Sequence, residues 1–352
     1  MKKAYLAVLV VCILMPLSLF ITSPIQPVEW TPDPLAQLTG DFEKNTRLDT
    51  VRLLLEGQLA EPEDIAFDSQ GWLYTGLKDG RIVKFAPQIP DSLITIANTG
   101  GRPLGLRFSP NGYLIVADAA KGLLEITLEG EIRTLVTEYQ GVNLRLIDHV
   151  DVAKNGDIYF SDATARFGLD DHILDFIEAT ATGRIFKYSA LTQQTSLIIE
   201  GVFFANGVAL GPNDDYLLIA ETGKSRVLKH MLTGPDTGKT SVFIDQLPAM
   251  PDNIYFDEDD TFWVGLVAMR DWRVESLASY PALRKIMGGI PVQMIKPAKG
   301  YGFVMGVNTN GEVTHNYQTE SAYTTITSAV RHDGKLYLGS LFEDGVAVFD
   351  LE

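Results

Sequence analysis

Short segments in which apolar and polar residues alternate, each followed by a polar turn, recur along most of the chain. Six copies align without a gap over about ten residues. The alternation predicts half-buried strands, and the Asn, Asp and Gly residues of the turns are typical of tight hairpins. The copies are IAFDSQGWLY from Ile65, LRFSPNGYLI from Leu106, VDVAKNGDIY from Val150, VALGPNDDYL from Val208, IYFDEDDTFW from Ile254 and SAVRHDGKLY from Ser328.

Further strand-like segments bring each repeat to about four strands, so the sequence predicts an all-β fold, a six-bladed β-propeller. One clear strand, GVAVFD from Gly345, follows the last copy, and TVRLLL from Thr50 precedes the first. We expect this N-terminal strand to complete the last blade and close the ring, which would remove an exposed sheet edge. A β-sandwich is the alternative, but it does not predict six aligned copies.

Two inserts interrupt the repeats, from Phe167 to Gly183 and from about Met269 to Lys299. Their apolar spacing predicts short helices on the top face of the propeller. Two roles remain open for them: packing on the blade tops, or an apolar lid over a binding site.

The N-terminus carries an apolar stretch from Ala4 to Ile21, preceded by Lys2 and Lys3. Its length suits a helix that spans a bilayer, and the preceding charges predict a propeller outside the cytoplasm, periplasmic in a bacterium. A cleaved signal peptide is the alternative. The predicted organisation is therefore a membrane anchor or signal segment (1–21), a Pro-containing tether (22–48) and the propeller (49–352).

The composition and charge of the chain exclude some classes of function. The chain has 352 residues, of which 46% are hydrophobic, and a formal net charge of −16. This charge argues against nucleic acid as a partner, because binding the phosphate backbone needs clustered Lys and Arg. The single cysteine, Cys12, excludes an intrachain disulfide and a thiolate site in the folded body.

Residues two places before each copy occupy equivalent positions, so they should converge on the central channel. Four of the six carry side-chain oxygens, three of them as carboxylates. Converging carboxylates raise one another's pKa, and a hard cation removes that cost. Oxygen ligands suit calcium better than zinc or copper, and magnesium demands stricter geometry, although each residue alone could be a strand-start cap. The six residues are Glu63, Leu104, Asp148, Asn206, Asp252 and Ile326.

Longer motifs carry a family resemblance that covers nearly the whole chain beyond the N-terminal stretch. They are PEDIAFD at Pro62, GRPLGLRF at Gly101, IYFSDATARFGLDDHILDFIEATATGRIFKY at Ile158, FANGVAL at Phe204, MPDNIYFD at Met250 and HDGKLYLGSL at His332. With these motifs the sequence resembles the strictosidine-synthase-like and adipocyte plasma-membrane-associated protein group of the gluconolactonase–paraoxonase propeller superfamily. The resemblance implies calcium ligation by Glu63, Asn206, Asp252 and Asn253. The sequence departs from the family pattern in the third blade, where it has Asp148-His149 and family members often have Asn-Asp.

The resemblance also implies calcium-dependent hydrolysis of lactones or aryl esters. Asp252 matches the general base of gluconolactonases. His149 is a second candidate, with a purely structural role equally open. Strictosidine synthases use a Glu in the last blade, and residues 325–328 contain no carboxylate, which argues against alkaloid condensation.

The predicted substrate pocket contains Leu104 and Ile326 at the axis, Phe176 from the first insert, and Arg102. Its apolar members favour a small apolar ester or lactone as substrate. Two other functions stay open: a calcium-stabilised binding or scaffold propeller without turnover, and a lactonase for polar sugar acids.

Overall fold

The computed structural model describes residues 14–257, 259–295 and 299–351. Within these ranges the strands form six four-stranded antiparallel sheets and a two-stranded hairpin, β10–β11. The strands are β1 (Arg52–Leu54), β2 (Ile65–Phe67), β3 (Leu73–Gly76), β4 (Arg81–Ala86), β5 (Ile89–Asn98), β6 (Pro103–Phe108), β7 (Leu114–Asp118), β8 (Gly122–Ile126), β9 (Ile132–Val136), β10 (Glu138–Tyr139), β11 (Val142–Asn143), β12 (Ile147–Val152), β13 (Ile158–Asp162), β14 (Gly183–Tyr188), β15 (Thr195–Val202), β16 (Ala205–Leu210), β17 (Tyr216–Glu221), β18 (Arg226–Met231), β19 (Thr240–Ile244), β20 (Ala249–Phe256), β21 (Thr261–Met269), β22 (Gly302–Asn308), β23 (Val313–Thr319), β24 (Ile326–His332), β25 (Lys335–Ser340) and β26 (Val346–Asp350).

Each sheet is one blade, and the blades follow one another in chain order around a central channel. The inner strands β2, β6, β12, β16, β20 and β24 contact their neighbours in turn, and β2 also contacts β24. The ring is therefore closed, which confirms the predicted six-bladed propeller.

The last blade closes the ring in the predicted way. Its strand order is β1-β26-β25-β24, with β1 paired antiparallel to β26, so that Arg52 faces Val348 and Leu54 faces Val346. The N-terminal strand thus supplies the outer edge of a blade whose other strands come from the C-terminus.

Apolar side chains fill the spaces between neighbouring blades. Leu218 of the fourth blade packs in one cluster with Ile254 and Phe262 of the fifth. Ile65 of the first blade shares another cluster with Val330 of the sixth. Because side chains alternate across a strand, each strand packs on both neighbouring blades, which explains why strands such as β16 and β17 are buried at every position.

Helices are short and gather at one end of the channel. The two inserts leave β13 and β21 at the end where β12 and β20 begin, which we call the top face; this confirms the predicted helical inserts. The helices are α1 (14–22), α2 (Ile173–Glu178), α3 (Trp272–Glu275) and α4 (Pro281–Met287), with 3₁₀ turns at Gly40–Phe42, Arg47–Thr50, Thr222–Lys224 and Val292–Met294.

The prediction of a membrane-spanning anchor at the N-terminus is wrong for the described residues. Among the described helices none is long and apolar enough to cross a membrane. The described part of this stretch is the helix α1. It lies on the second insert, where Lys285 covers the ring of Phe20. Residues 1–13 of the predicted segment lie outside the described residues.

Candidate metal centre

The inner strands share an irregularity near their top ends. In five blades two residues of the inner strand oppose a single residue of the next strand, which is the arrangement of a β-bulge. A bulge re-aims side chains, and here it turns the first of its two residues toward the top of the channel. Those first residues are Leu104, Asp148, Asn206, Asp252 and Thr327, and Glu63 holds the matching place just before β2.

The register of the sixth blade corrects one predicted ring residue. Ala329 pairs with Leu338, so the bulge comprises Thr327 and Ser328. Ile326 instead packs in the core shared by the fifth and sixth blades. The sixth hairpin has a two-residue Asp-Gly turn with positive φ at both residues, as a type I′ turn requires. The stretch from Ala329 to its partner Leu338 is one residue shorter than the stretch from Ile254 to Val264 in the fifth blade. Because the alignment of the six copies has no gap, it starts the sixth copy at Ser328, one residue before the equivalent position, Ala329.

Glycine follows two of the ring residues because the inner strands approach one another closely here. A Cβ on Gly105 would lie 2.7 Å from the Cα of His149, and one on Gly207 would lie 2.3 Å from the carbonyl oxygen of Asp252. Any side chain would force these strands apart. The glycines therefore keep the ring narrow enough for its polar residues to meet.

Three ring carboxylates meet at the axis. One carboxylate oxygen from each of Glu63, Asp148 and Asp252 lies within 4.8 Å of the other two. All three side chains are buried. Burial, and then the charge of Asp252, raises the pKa of Glu63. Burial and the charge of Asp148 raise the pKa of Asp252, and burial with the charge of Asp162 raises that of Asp148 to about 7.

Four side-chain oxygens of this cluster are buried and have no hydrogen-bond partner in the described part of the chain. A buried unpaired oxygen costs free energy, and a cation bound among the four would offset that cost. The Asn253 amide nitrogen donates to Glu63 Oε1 at 2.9 Å, which leaves its own oxygen free. The residues therefore fit a bound cation. The four oxygens are Glu63 Oε2, Asn206 Oδ1, Asp252 Oδ1 and Asn253 Oδ1.

A second layer of polar residues joins neighbouring blades. Asp64 Oδ2 accepts a hydrogen bond from the backbone N–H of Leu106 at 2.8 Å. His149 Nδ1 accepts one from the N–H of Val208 at 3.1 Å, so the ring proton lies on Nε2, which faces Asp64 Oδ2 at 3.6 Å. Both nitrogens of His149 are thus engaged. Sequence reasoning missed Asp64, although its place beside Glu63 in the repeat matches that of His149 beside Asp148.

Arg102 lies beside the carboxylates. Its Nη1 donates to the carbonyl oxygen of Glu61 at 3.0 Å, whereas Nη2 is buried without a hydrogen-bond partner among the described residues. The positive charge of Arg102 lowers the pKa of Glu63 and of Asp148, which opposes the rise caused by burial. The guanidinium thus offsets part of the negative charge of the centre.

Apolar side chains cover the top of the channel. Leu104 lies in one cluster with Phe203 and Phe204, and Phe176 of α2 packs against it. The rings of Phe176 and Phe204 are 4.4 Å apart. We call these four residues the roof. Because Phe204 comes two residues before Asn206, the roof lies directly beside the polar ring.

Comparison with solved structures defines the class of fold. The gluconolactonase XC5397 of Xanthomonas campestris matches with a TM-score of 0.64 at 14% identity, over 94% of this chain and 98% of that one. The calcium-binding protein regucalcin of Agrobacterium tumefaciens matches with a TM-score of 0.61 at 13% identity, over 86% and 94%. The fold is therefore that of the gluconolactonase-type six-bladed propellers.

Sequence comparison identifies the family. Family models described as strictosidine synthase and strictosidine synthase-like, N-terminal, match residues 148–235 and 40–85. Strictosidine synthase-like protein 6 of Arabidopsis thaliana is 34% identical over 97% of this chain and 94% of its own length. The adipocyte plasma membrane-associated protein of Salmo salar is 31% identical over 97% and 88%. The chain belongs to the strictosidine synthase-like family.

Proposed function

We propose that the ring of polar residues holds a calcium ion and that the protein hydrolyses lactones or aryl esters. The four unpaired, buried oxygens around the three carboxylates carry the proposal. Carboxylate and amide oxygens are the ligands that calcium prefers. The ligands would be Glu63, Asp148, Asn206, Asp252 and Asn253. The name of regucalcin, a calcium-binding protein of the same fold, supports this choice.

A bound calcium ion would act as a Lewis acid toward a substrate carbonyl. The protein's own contribution is a fixed, water-poor surrounding. The ring side chains are buried, and the roof borders them on the apolar side. Hydrogen bonds such as that from Asn253 to Glu63 hold the acidic side chains in place before a substrate arrives, which lowers the cost of reorganisation.

Asp252 is the proposed general base. One oxygen of its buried carboxylate can ligate the calcium ion while the other accepts a proton from water, and the resemblance to gluconolactonases points to the same residue. His149 is less suited to this role, because its Nδ1 lone pair already accepts the N–H of Val208. We assign His149 to holding the third and fourth blades together.

The roof favours an apolar substrate. Leu104 and Phe204 are buried and Phe176 is partly buried beside the ring, so a substrate that reaches the ring from this side would meet aliphatic and aromatic side chains. A polar sugar-acid lactone would leave its hydroxyl groups unpaired against these side chains, which costs binding free energy. Aryl esters and alkyl-substituted lactones fit this surface better.

The test is a panel of lactones and aryl esters assayed in calcium, in magnesium and in chelator. We expect turnover that chelator abolishes and that calcium restores better than magnesium. Turnover indifferent to chelator would contradict the proposed role of the metal. Bound calcium without turnover of any panel member would instead identify a binding propeller.

A further inference from the structure

The segment before β1 lies across the inserts of the top face. We call residues 23–34 the strap. Ile25 of the strap is fully buried, in a cluster with Phe167, Leu174 and Ile177 of the first insert. The backbone N–H of Val28 donates to the carbonyl oxygen of Glu178 at 3.2 Å. The strap is thus packed and hydrogen-bonded as an integral layer of the top face.

Arg284 of α4 joins the strap to both inserts. Its buried guanidinium donates to the carbonyl oxygens of Ile177 and Glu178 at 3.0 and 3.3 Å, and to that of Ala278 at 3.0 Å. It also donates to the carbonyl oxygen of Val28 in the strap. One cationic side chain therefore holds three separate segments in a fixed relation.

Trp30 extends the strap to the roof. Its ring packs edge-on against Phe203, with centroids 5.7 Å apart and planes at 87°. Phe203 in turn lies 6.1 Å from Phe176, whose ring is 4.4 Å from that of Phe204. A continuous row of aromatic rings therefore leads from the strap to the residue two places before the proposed ligand Asn206.

Phe204 itself is held in an unusual backbone conformation. Its φ is 59°, in the left-handed region that favours glycine and costs a bulky residue about 1–2 kcal/mol. Glycine would remove this cost but would also remove the ring from the roof. The strained backbone of Phe204 therefore holds an aromatic ring in the roof, where glycine would leave none.

We propose that the strap is part of the substrate site and that Trp30 is a positioning residue for it. Trp30 supports Phe203, and through it the rings of Phe176 and Phe204 that face the apolar part of the substrate. This inference rests on the proposed function, because it assumes that the roof contacts substrate. It predicts that Trp30 governs how large an apolar group the site accepts.

The test compares Trp30→Ala, Trp30→Phe and the control Trp272→Ala on aryl esters of increasing acyl length, in saturating calcium. Trp272 lies in the second insert and is 66% exposed. Aromatic packing contributes enough that we expect Trp30→Ala to raise KM for the longest ester about 3–10-fold. We expect kcat, the KM for the acetate ester and calcium affinity to change less than about 2-fold. Trp30→Phe should restore most of the loss, and Trp272→Ala should match the wild type.

Equal KM changes along the series, no KM change in Trp30→Ala, or the same change in Trp272→Ala would overturn the inference. A fall in calcium affinity in Trp30→Ala would also overturn it, because the effect would then be general. Failure of the proposed hydrolysis is distinguished by calorimetry with short- and long-chain alkyl phosphonates, which are not hydrolysed. The inference stands if Trp30→Ala selectively weakens the long-chain phosphonate, and it falls if the wild type binds both chains alike or neither.

Discussion

Asp252 and Asn206 both point an unpaired oxygen into the ring, yet only Asp252 can exchange a proton. Asp252→Asn keeps an oxygen at this place and should leave calcium bound, while kcat falls about 10²–10⁴-fold, as is usual for losing a general base. Asn206→Ala removes a neutral ligand, so excess calcium should restore much of its activity. Ester turnover against calcium concentration separates the two.

His149→Gln is the control for that comparison. It should lower the melting temperature, because the hydrogen bond from Val208 is weakened, and leave kcat within about 3-fold of wild type. If Asp252→Asn turns over ester at the wild-type rate while His149→Gln does not, the assignment of the base is contradicted.

Asp175, which lies outside the ring, provides a test of how stability depends on pH. Burial, aided by the charge of Glu178, raises the pKa of Asp175 to about 6. The unfolded chain has a pKa of about 3.9 there, so the stabilising contribution of protonated Asp175 is complete below about pH 4 and is lost as pH rises through 6. Asp175→Asn should equal wild type near pH 4 and be more stable by up to about 3 kcal/mol above pH 6.

Denaturant unfolding of the wild type and Asp175→Asn between pH 4 and 8 measures this difference in the free energy of unfolding. The contributions of the other titrating groups are the same in both proteins and cancel. A difference that is independent of pH would mean that Asp175 is ionised throughout the range in the folded protein.

Their equivalent positions in the repeats predicted that Glu63, Asp148, Asn206 and Asp252 are neighbours in space, because equivalent strand positions converge on one axis. Thr327 was missed because the short turn at Asp333 and Gly334 shifts the sixth register. That turn was visible in the sequence. The pairing of His149 with the next blade was not, since it depends on which nitrogen faces the N–H of Val208.

Among the elements, the strands and the helical inserts were predictable, and the path of the strap was not. The strands repeat a local pattern that hairpin turns fix within about ten residues. The strap is fixed by distant partners, such as Glu178 and Arg284, which lie more than 100 residues further along the chain. Nothing in its Pro-containing sequence indicates where those partners lie.

The hydrogen bonds of Tyr323 provide a test of how the last blade, which closes the ring, is held together. The buried hydroxyl of Tyr323 is shared between the carbonyl oxygens of Leu338, at 3.0 Å, and Gly345, at 2.9 Å, so it joins the strands of the last blade. Tyr323→Phe leaves both carbonyls without this donor and should lower the free energy of unfolding by about 1–3 kcal/mol. Tyr113→Phe, at an exposed side chain, should change it by less than about 0.5 kcal/mol. Equal effects in denaturant unfolding would show that the Tyr323 hydroxyl does not hold the last blade.

For the whole molecule, the repeats predicted the fold because six similar units, the last of them built from both ends of the chain, have few other ways to bury their apolar faces. The same reading of hydrophobicity failed at the N-terminus. A continuous apolar stretch is compatible with a lipid surrounding and with a protein surface, and α1 packs on the second insert through residues such as Leu19 and Phe20.

The central claim is that a calcium ion completes the ring, and thermal unfolding tests it most directly. Calcium at about 100 times its Kd adds about 2.7 kcal/mol to the stability of a protein that binds the ion only when folded, which corresponds to roughly 3–5 °C for a chain of this size. We predict that chelator lowers Tm by this amount, that calcium restores it and that equal magnesium does not, with the response much reduced in Asn206→Ala at limiting calcium. An unchanged Tm in chelator, or equal restoration by magnesium, would contradict the calcium site.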